Sequence, residues 1–166
     1  MDLISRNPAI GVKLPRKKVR KAPLVLSLPD IRRMIETLPE PSKSIVTLIV
    51  FASLRVGEVL ALRWKRVLED RLAIVERVYD GTFDDVKTDA GNREVPFDQR
   101  GILRRTLEQC RKTAQFLGPE DLVFANSAGK PIDRRNLLNR QIKPTAKKLG
   151  LPKEIDFRAS VRCIPV

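Results

Sequence analysis

At 166 residues, 42% of them hydrophobic, the chain is long enough for one ordinary domain with a substantial buried core. Its net charge of +13 favours a polyanionic partner, most simply nucleic acid. Histidine is absent, which removes a histidine general base, a Ser-His-Asp triad and an imidazole-ligated zinc site.

Residues 1–24 hold seven Lys and Arg against one Asp, a local charge of +6 that leaves +7 for the remaining 142 residues. Pro8, Pro15 and Pro23 interrupt this basic segment, which includes Lys17 and Lys18, and few apolar residues anchor it. It reads as an extended, solvated linker or as an arm along a phosphate backbone. A disordered solubilising tail has the same composition.

The first helix is expected near Ser27, where Ser27 and Asp30 have capping-box spacing and Pro29 suits the first turn. Ile31, Met34, Ile35 and Leu38 then share a face, and Leu38-Pro39-Glu40-Pro41 ends the run. A mostly buried helix is predicted from about Ser42 to Ala52, and a third from about Gly57 to Trp64. Between two apolar runs that both seek burial, the turn Ser53-Leu54-Arg55 should be rigid and should project Arg55 near the start of the third helix, where an anion would sit. A planar fork of donors at that place is suited to grip a phosphate.

From Leu72 to Phe97 the periodicity changes to extended. Leu72 to Tyr79 is rich in strand formers, Arg93 to Phe97 ends a second extended piece, and Asp89-Ala90-Gly91-Asn92 makes a turn between them. That arrangement puts Lys87 on a β-hairpin close to its bend. A fourth helix is expected over about Gln99 to Leu117, with Leu103, Leu107, Cys110, Ala114 and Leu117 on one side. Cys110 and Cys163 lack Cys-x-x-Cys spacing, so neither a metal knuckle nor a redox motif is indicated, and two lone thiols suit a reducing interior.

Leu122 to Ala125 reads as a short buried extended piece. The last helix should start at Asp133 and stop at Gly150, with Leu138, Ile142, Ala146 and Leu149 inward and Arg140, Lys143 and Lys147 on another face, beside Arg134, Arg135 and Lys148. No acid interrupts Arg134 to Lys148, and Pro144 is expected to kink the helix. No apolar run reaches the length of a membrane span and the N-terminus lacks a signal pattern, so no membrane partner and a cytoplasmic location are expected.

Three stretches together resemble the phage-integrase family of tyrosine recombinases. Leu54-Arg55-Val56-Gly57-Glu58, followed by Leu60-Ala61-Leu62-Arg63-Trp64, is similar to that family's first active-site motif, with Ala52-Ser53 in place of the usual Thr-Gly. Val86-Lys87-Thr88-Asp89 through Arg93-Glu94-Val95-Pro96 resembles its second landmark, a lysine hairpin, and the Leu122-Val123-Phe124 piece with the basic helix continues the order. The resemblance implies an α+β fold, mainly helical with a small antiparallel sheet whose β-hairpin carries Lys87, like a tyrosine recombinase catalytic domain incomplete at its C-terminus. Residues 1–24 would be the linker or arm and 25–166 the partial catalytic domain.

The implied chemistry is attack of a tyrosine hydroxyl on a DNA phosphodiester. Arginines stabilise the phosphoryl charge and a lysine protonates the departing 5′-oxygen, without metal or other cofactor. Arg55 takes the first arginine role, Lys87 the lysine role, and Glu58 the task of fixing Arg55. Double-stranded DNA is the implied partner, contacted through Arg134, Arg135, Arg140, Lys143, Lys147, Lys17 and Lys18, with other recombinase protomers on the same DNA.

The pattern departs at its third landmark, usually His-x-x-Arg. The chain reads Ile155-Asp156-Phe157-Arg158-Ala159-Ser160-Val161-Arg162, so either Arg158 or Arg162 stands near the second arginine position without the spacing. Tyr79, the single tyrosine, precedes Lys87 and so falls on the wrong side for a nucleophile. The chain is expected not to cleave DNA alone, as a truncation or frame shift after Phe157 would leave it. A non-enzymatic nucleic-acid-binding or regulatory module, a generic basic RNA-binding protein and, more remotely, a type IB topoisomerase are the competing readings.

Overall fold

The computed structural model describes residues 24–85, 92–97 and 101–157. Helix α1 (Leu28–Thr37) begins as its sequence requires: Ser27 caps it, its Oγ accepting from the Asp30 amide at 3.3 Å and donating to Asp30 Oδ2 at 2.6 Å. Ile31, Met34, Ile35 and the flanking Leu38 are buried on its inner face. In the first turn of helix α2 (Ser42–Phe51) the Ser44 amide donates to Glu40 Oε2 at 3.2 Å, from a residue just ahead of the helix. Every residue from Ser44 to Val50 is buried, so α2 is the central strut rather than an amphipathic surface helix.

Helix α3 (Val56–Ala61) is shorter than the sequence suggests. Leu62 and Arg63 turn extended because their backbone pairs across the chain: the Val123 amide donates to the Leu62 carbonyl at 2.8 Å and the Trp64 amide to the Asp121 carbonyl at 3.0 Å. Trp64 therefore opens a 3-10 turn (Trp64–Arg66), buried, with Nε1 donating to the Phe116 carbonyl at 3.0 Å.

Among the described residues the extended region forms two antiparallel two-stranded sheets, and the expected hairpin bend beside Lys87 lies outside them. The expected Leu72 to Tyr79 strand divides at Val75 into β1 (Arg71–Ile74) and β2 (Glu76–Tyr79). Strand β1 pairs with β4 (Arg93–Pro96), Ile74 opposite Arg93, while β2 pairs with β3 (Thr82–Asp85), Val78 opposite Phe83. Asp80 and Gly81, at φ 47° and 82°, make the β2–β3 turn. Two positive φ values match the right-handed twist of hairpin strands, and Asp-Gly is a sequence that adopts them readily.

Helix α4 (Ile102–Thr113) buries Leu103, Leu107 and Cys110 but ends before Leu117, which is exposed. Burial pushes the Cys110 thiol up to about 11, so it behaves as a small core residue. Leu122, Val123 and Phe124 are buried as expected, though instead of a strand the segment has isolated bridges at Leu122, to Arg63, and at Ala125, to Pro131.

The basic stretch forms a nearly continuous rod: α5 (Arg134–Leu137), a π-turn (Leu138–Ile142) and α6 (Lys143–Lys148). Asp133 caps it, accepting from the Asn136 amide at 2.6 Å. Pro144 cannot donate to the carbonyl four residues back, and the helix widens in the turn before it, the Lys143 amide reaching Leu138. At the other end Gly150, at φ 70°, closes a Schellman motif: its amide donates to Lys147 and that of Leu151 to Ala146. Leu137, Ile142 and Ala146 pack inward, and α6 touches α1.

A basic group on a rigid bracket

The turn between α2 and α3 is pinned by Leu54, whose side chain is fully buried, and bent at Ser53, which sits at φ 51°. Glycine adopts that left-handed conformation without a Cβ clash, which supplies a physical reason for the glycine usual at this place in the resembling motif. Gly57 is needed for another reason. A Cβ there would come within 2.7 Å of the Val78 carbonyl oxygen, so its absence lets α3 lie directly on β2.

Arg55 follows as the N-cap of α3, its backbone amide donating to Glu58 Oε2 at 2.9 Å and its Nη1 to Oε1 at 2.9 Å. The Arg55 side chain is 77% exposed, whereas that of Glu58 is 1% exposed. Arg93, arriving on β4, completes the group by donating Nη1 to Oε1 at 3.2 Å and Nη2 to Oε2 at 2.8 Å. Burial alone would raise the Glu58 carboxyl; the Arg93 fork, then the Arg55 amide and guanidinium, outweigh it and hold the group below its ordinary value. With six residues in α3 and the Arg55 amide already engaged by Glu58, an anion here would meet the guanidinium and not a helix terminus.

Around this bracket the β2–β3 hairpin is held by charge. Arg63 donates Nε to Glu76 Oε1 at 2.7 Å and Nη1 to the Glu120 carbonyl at 2.6 Å, and its guanidinium lies 5.1 Å from the Phe83 ring centroid. At the hairpin tip, Asp80 stands 3.6 Å from Arg135. The start of the basic rod is thus tied to the same hairpin that α3 packs against.

Arg134, Arg135, Arg140, Lys143, Lys147 and Lys148 are all exposed, and among the described residues Arg135 alone of these makes an ion pair. Lys87, Arg158, Arg162, Lys17 and Lys18 lie outside the described residues. Tyr79 ends β2, exposed. A separate cavity of about 410 Å³ between α2, α4 and residues 122–127, with Cys110 and Phe124 in its wall, shares no residue with the Arg55 group. Among the described residues no helix is long and apolar enough to cross a membrane.

Sequence spacing does not single out Arg93, yet its strand carries a signal. It shares the inward side of its strand with Val95, and a cation on the inward side of a strand calls for a buried acid.

Residues 25–160 match the sequence profile of the phage integrase family. The chain belongs to the phage integrase family. Among solved structures, the Tn1549 transposon integrase in complex with circular intermediate DNA superposes with a TM-score of 0.70 at 14% identity, over 86% of this chain and 53% of that one. A lambda integrase dimer bound to a core site gives 0.63 at 20% identity over 96% and 43%, and XerA recombinase 0.60 at 19% identity over 89% and 50%. This phage integrase family chain therefore spans about half the length of the solved structures it matches. It shares with them the mainly helical fold with small antiparallel sheets of tyrosine recombinase catalytic domains. No curated protein matches the sequence.

Proposed function

We propose that this chain is a duplex-DNA-binding part of a DNA recombination or integration system, in which Arg55 grips a backbone phosphate and the basic rod from Arg134 to Lys148 lies along the DNA. One observation carries the reading: Arg55 is 77% exposed while its Nη1 is fastened to a carboxylate that is 1% exposed. A surface arginine ordinarily moves among many rotamers; this one is held, and its Nε and Nη2 make no hydrogen bond among the described residues. A pre-oriented guanidinium with free donors suits two oxygens of a phosphate.

The tie from Arg135 to the hairpin beside α3 supports one continuous contact surface. On this reading Glu58 fixes Arg55, and Arg140, Lys143 and Lys147 add phosphate contacts. Lys87 and one of Arg158 and Arg162 are assigned roles by sequence alone, as are Lys17 and Lys18. The 166 residues contain no histidine, and Tyr79 precedes Lys87, so strand cleavage by this chain alone is not proposed. Other protomers of the family are the expected neighbours on DNA.

The test is fluorescence anisotropy with a labelled DNA duplex across a salt series, beside an RNA hairpin and a gel for covalent adducts. Salt-sensitive duplex binding that Arg55→Ala weakens roughly tenfold is expected, with no adduct. Equal affinity for RNA, or binding indifferent to Arg55, would refute the phosphate role, and a tyrosyl adduct would refute the inactivity.

A further inference from the structure

The Glu58 carboxylate is filled. Oε1 accepts from Arg55 Nη1 and Arg93 Nη1, and Oε2 from the Arg55 amide and Arg93 Nη2, so each oxygen takes one donor from either arginine. A carboxylate offers about four acceptor sites. With Arg93 on two of them, Arg55 cannot lay its whole fork on Glu58, and its remaining N–H groups are directed elsewhere. Charge leads the same way. An Arg55–Glu58 pair alone would be neutral and would offer a phosphate little attraction, whereas two guanidiniums on one carboxylate leave a net positive charge on the exposed side.

We propose that Arg93 is a positioning residue for Arg55: by occupying both oxygens of Glu58 from the β4 side, it keeps the Arg55 fork free and the group positively charged for a DNA phosphate. Arg93 acts through Glu58 and need not touch DNA. The inference rests on the phosphate role proposed for Arg55 and goes beyond it, because it makes a residue on another element decide whether Arg55 is available.

A double-mutant cycle on duplex affinity and its salt slope tests this in the full chain. Arg93→Gln should weaken binding about tenfold and lower the slope by about one, as the loss of one phosphate contact does. In the Arg55→Ala background the same substitution should change neither quantity. Arg93→Lys keeps the charge but cannot fill both oxygens, so it should fall between wild type and Arg93→Gln.

Additive losses in the cycle would overturn the inference while leaving the Arg55 reading standing; so would full recovery in Arg93→Lys, since charge alone would then suffice. If Arg55→Ala leaves affinity and slope unchanged, the phosphate reading itself fails and this inference with it. Thermal unfolding identifies which variants are folded at the assay temperature, and should Arg93→Gln not be, the Arg93→Lys arm of the cycle decides.

Discussion

The bracket around Glu58 and the basic rod from Arg134 to Lys148 both present cations to solvent, but they are built on opposite plans. In the bracket a buried acid fixes the direction of one exposed guanidinium, through bonds that reach from α3 to β4. In the rod the inward side chains Leu137, Ile142 and Ala146 fix the backbone; among the described residues Arg135 pairs with the exposed Asp80 and Lys143 donates to the exposed Asn139, and no buried acid orients any of the outward cations. The first plan gives geometry that one substitution can destroy. The second gives a summed field in which each charge contributes a modest, similar share.

That contrast is most directly broken at Glu58. Glu58→Ala removes the acceptor of both guanidiniums and should destabilise the fold by about 2 kcal/mol, less than a fully enclosed pair because both cations can reach water. Chemical denaturation with linear extrapolation measures it. The same group predicts an acid limb. Its carboxyl titrates lower in the folded chain than in the unfolded one, so the stability it lends is complete above an unfolded value of about 4.3 and is lost as pH falls through the lower folded value. The denaturation midpoint of Glu58→Gln should therefore vary less with pH below about 4 than that of the wild type.

A smaller effect is expected one residue earlier. Gly57→Ala places a methyl 2.7 Å from the Val78 carbonyl oxygen, which backbone must move to relieve, at a cost of roughly 1.5 kcal/mol. The opposite sign applies to Ser53→Gly, which relieves a left-handed backbone at φ 51° and should raise stability by about 0.5 kcal/mol. A loss there would mean that the serine side chain contributes more than its backbone costs.

The smallest effects belong to the rod. Arg140→Ala, Lys143→Ala and Lys147→Ala should each weaken duplex binding by about 0.5 kcal/mol without changing stability, should each lower the salt slope by up to about one, and should add when combined. Strong non-additivity among them would mean that the rod, too, holds a fixed geometry, and the contrast with the bracket would fail.

Much of this was legible in the chain because it depends on neighbours in sequence. Ser27, Asp133 and Gly150 mark helix ends through bonds to residues three to five away, so local chemistry suffices. Ile31, Met34 and Ile35 declare an inward face by period alone. Arg55 and Glu58, three residues apart, could be paired on paper for the same reason. The shortened α3 could not be foreseen, because Leu62 and Trp64 leave the helix to bond a segment some sixty residues on. The division at Val75 likewise depends on which strands β1 and β2 find as partners.

What the sequence determined by itself was the set of local elements, the inward faces and the surplus of positive charge, since propensity, capping and burial act over a few residues. Only the tertiary structure decided that Arg93 meets Glu58 across 35 positions of chain and that Arg135 reaches the β2–β3 turn. Those contacts depend on how the sheets pair and how α3 lies on β2, and that arrangement follows from burying the whole core at once.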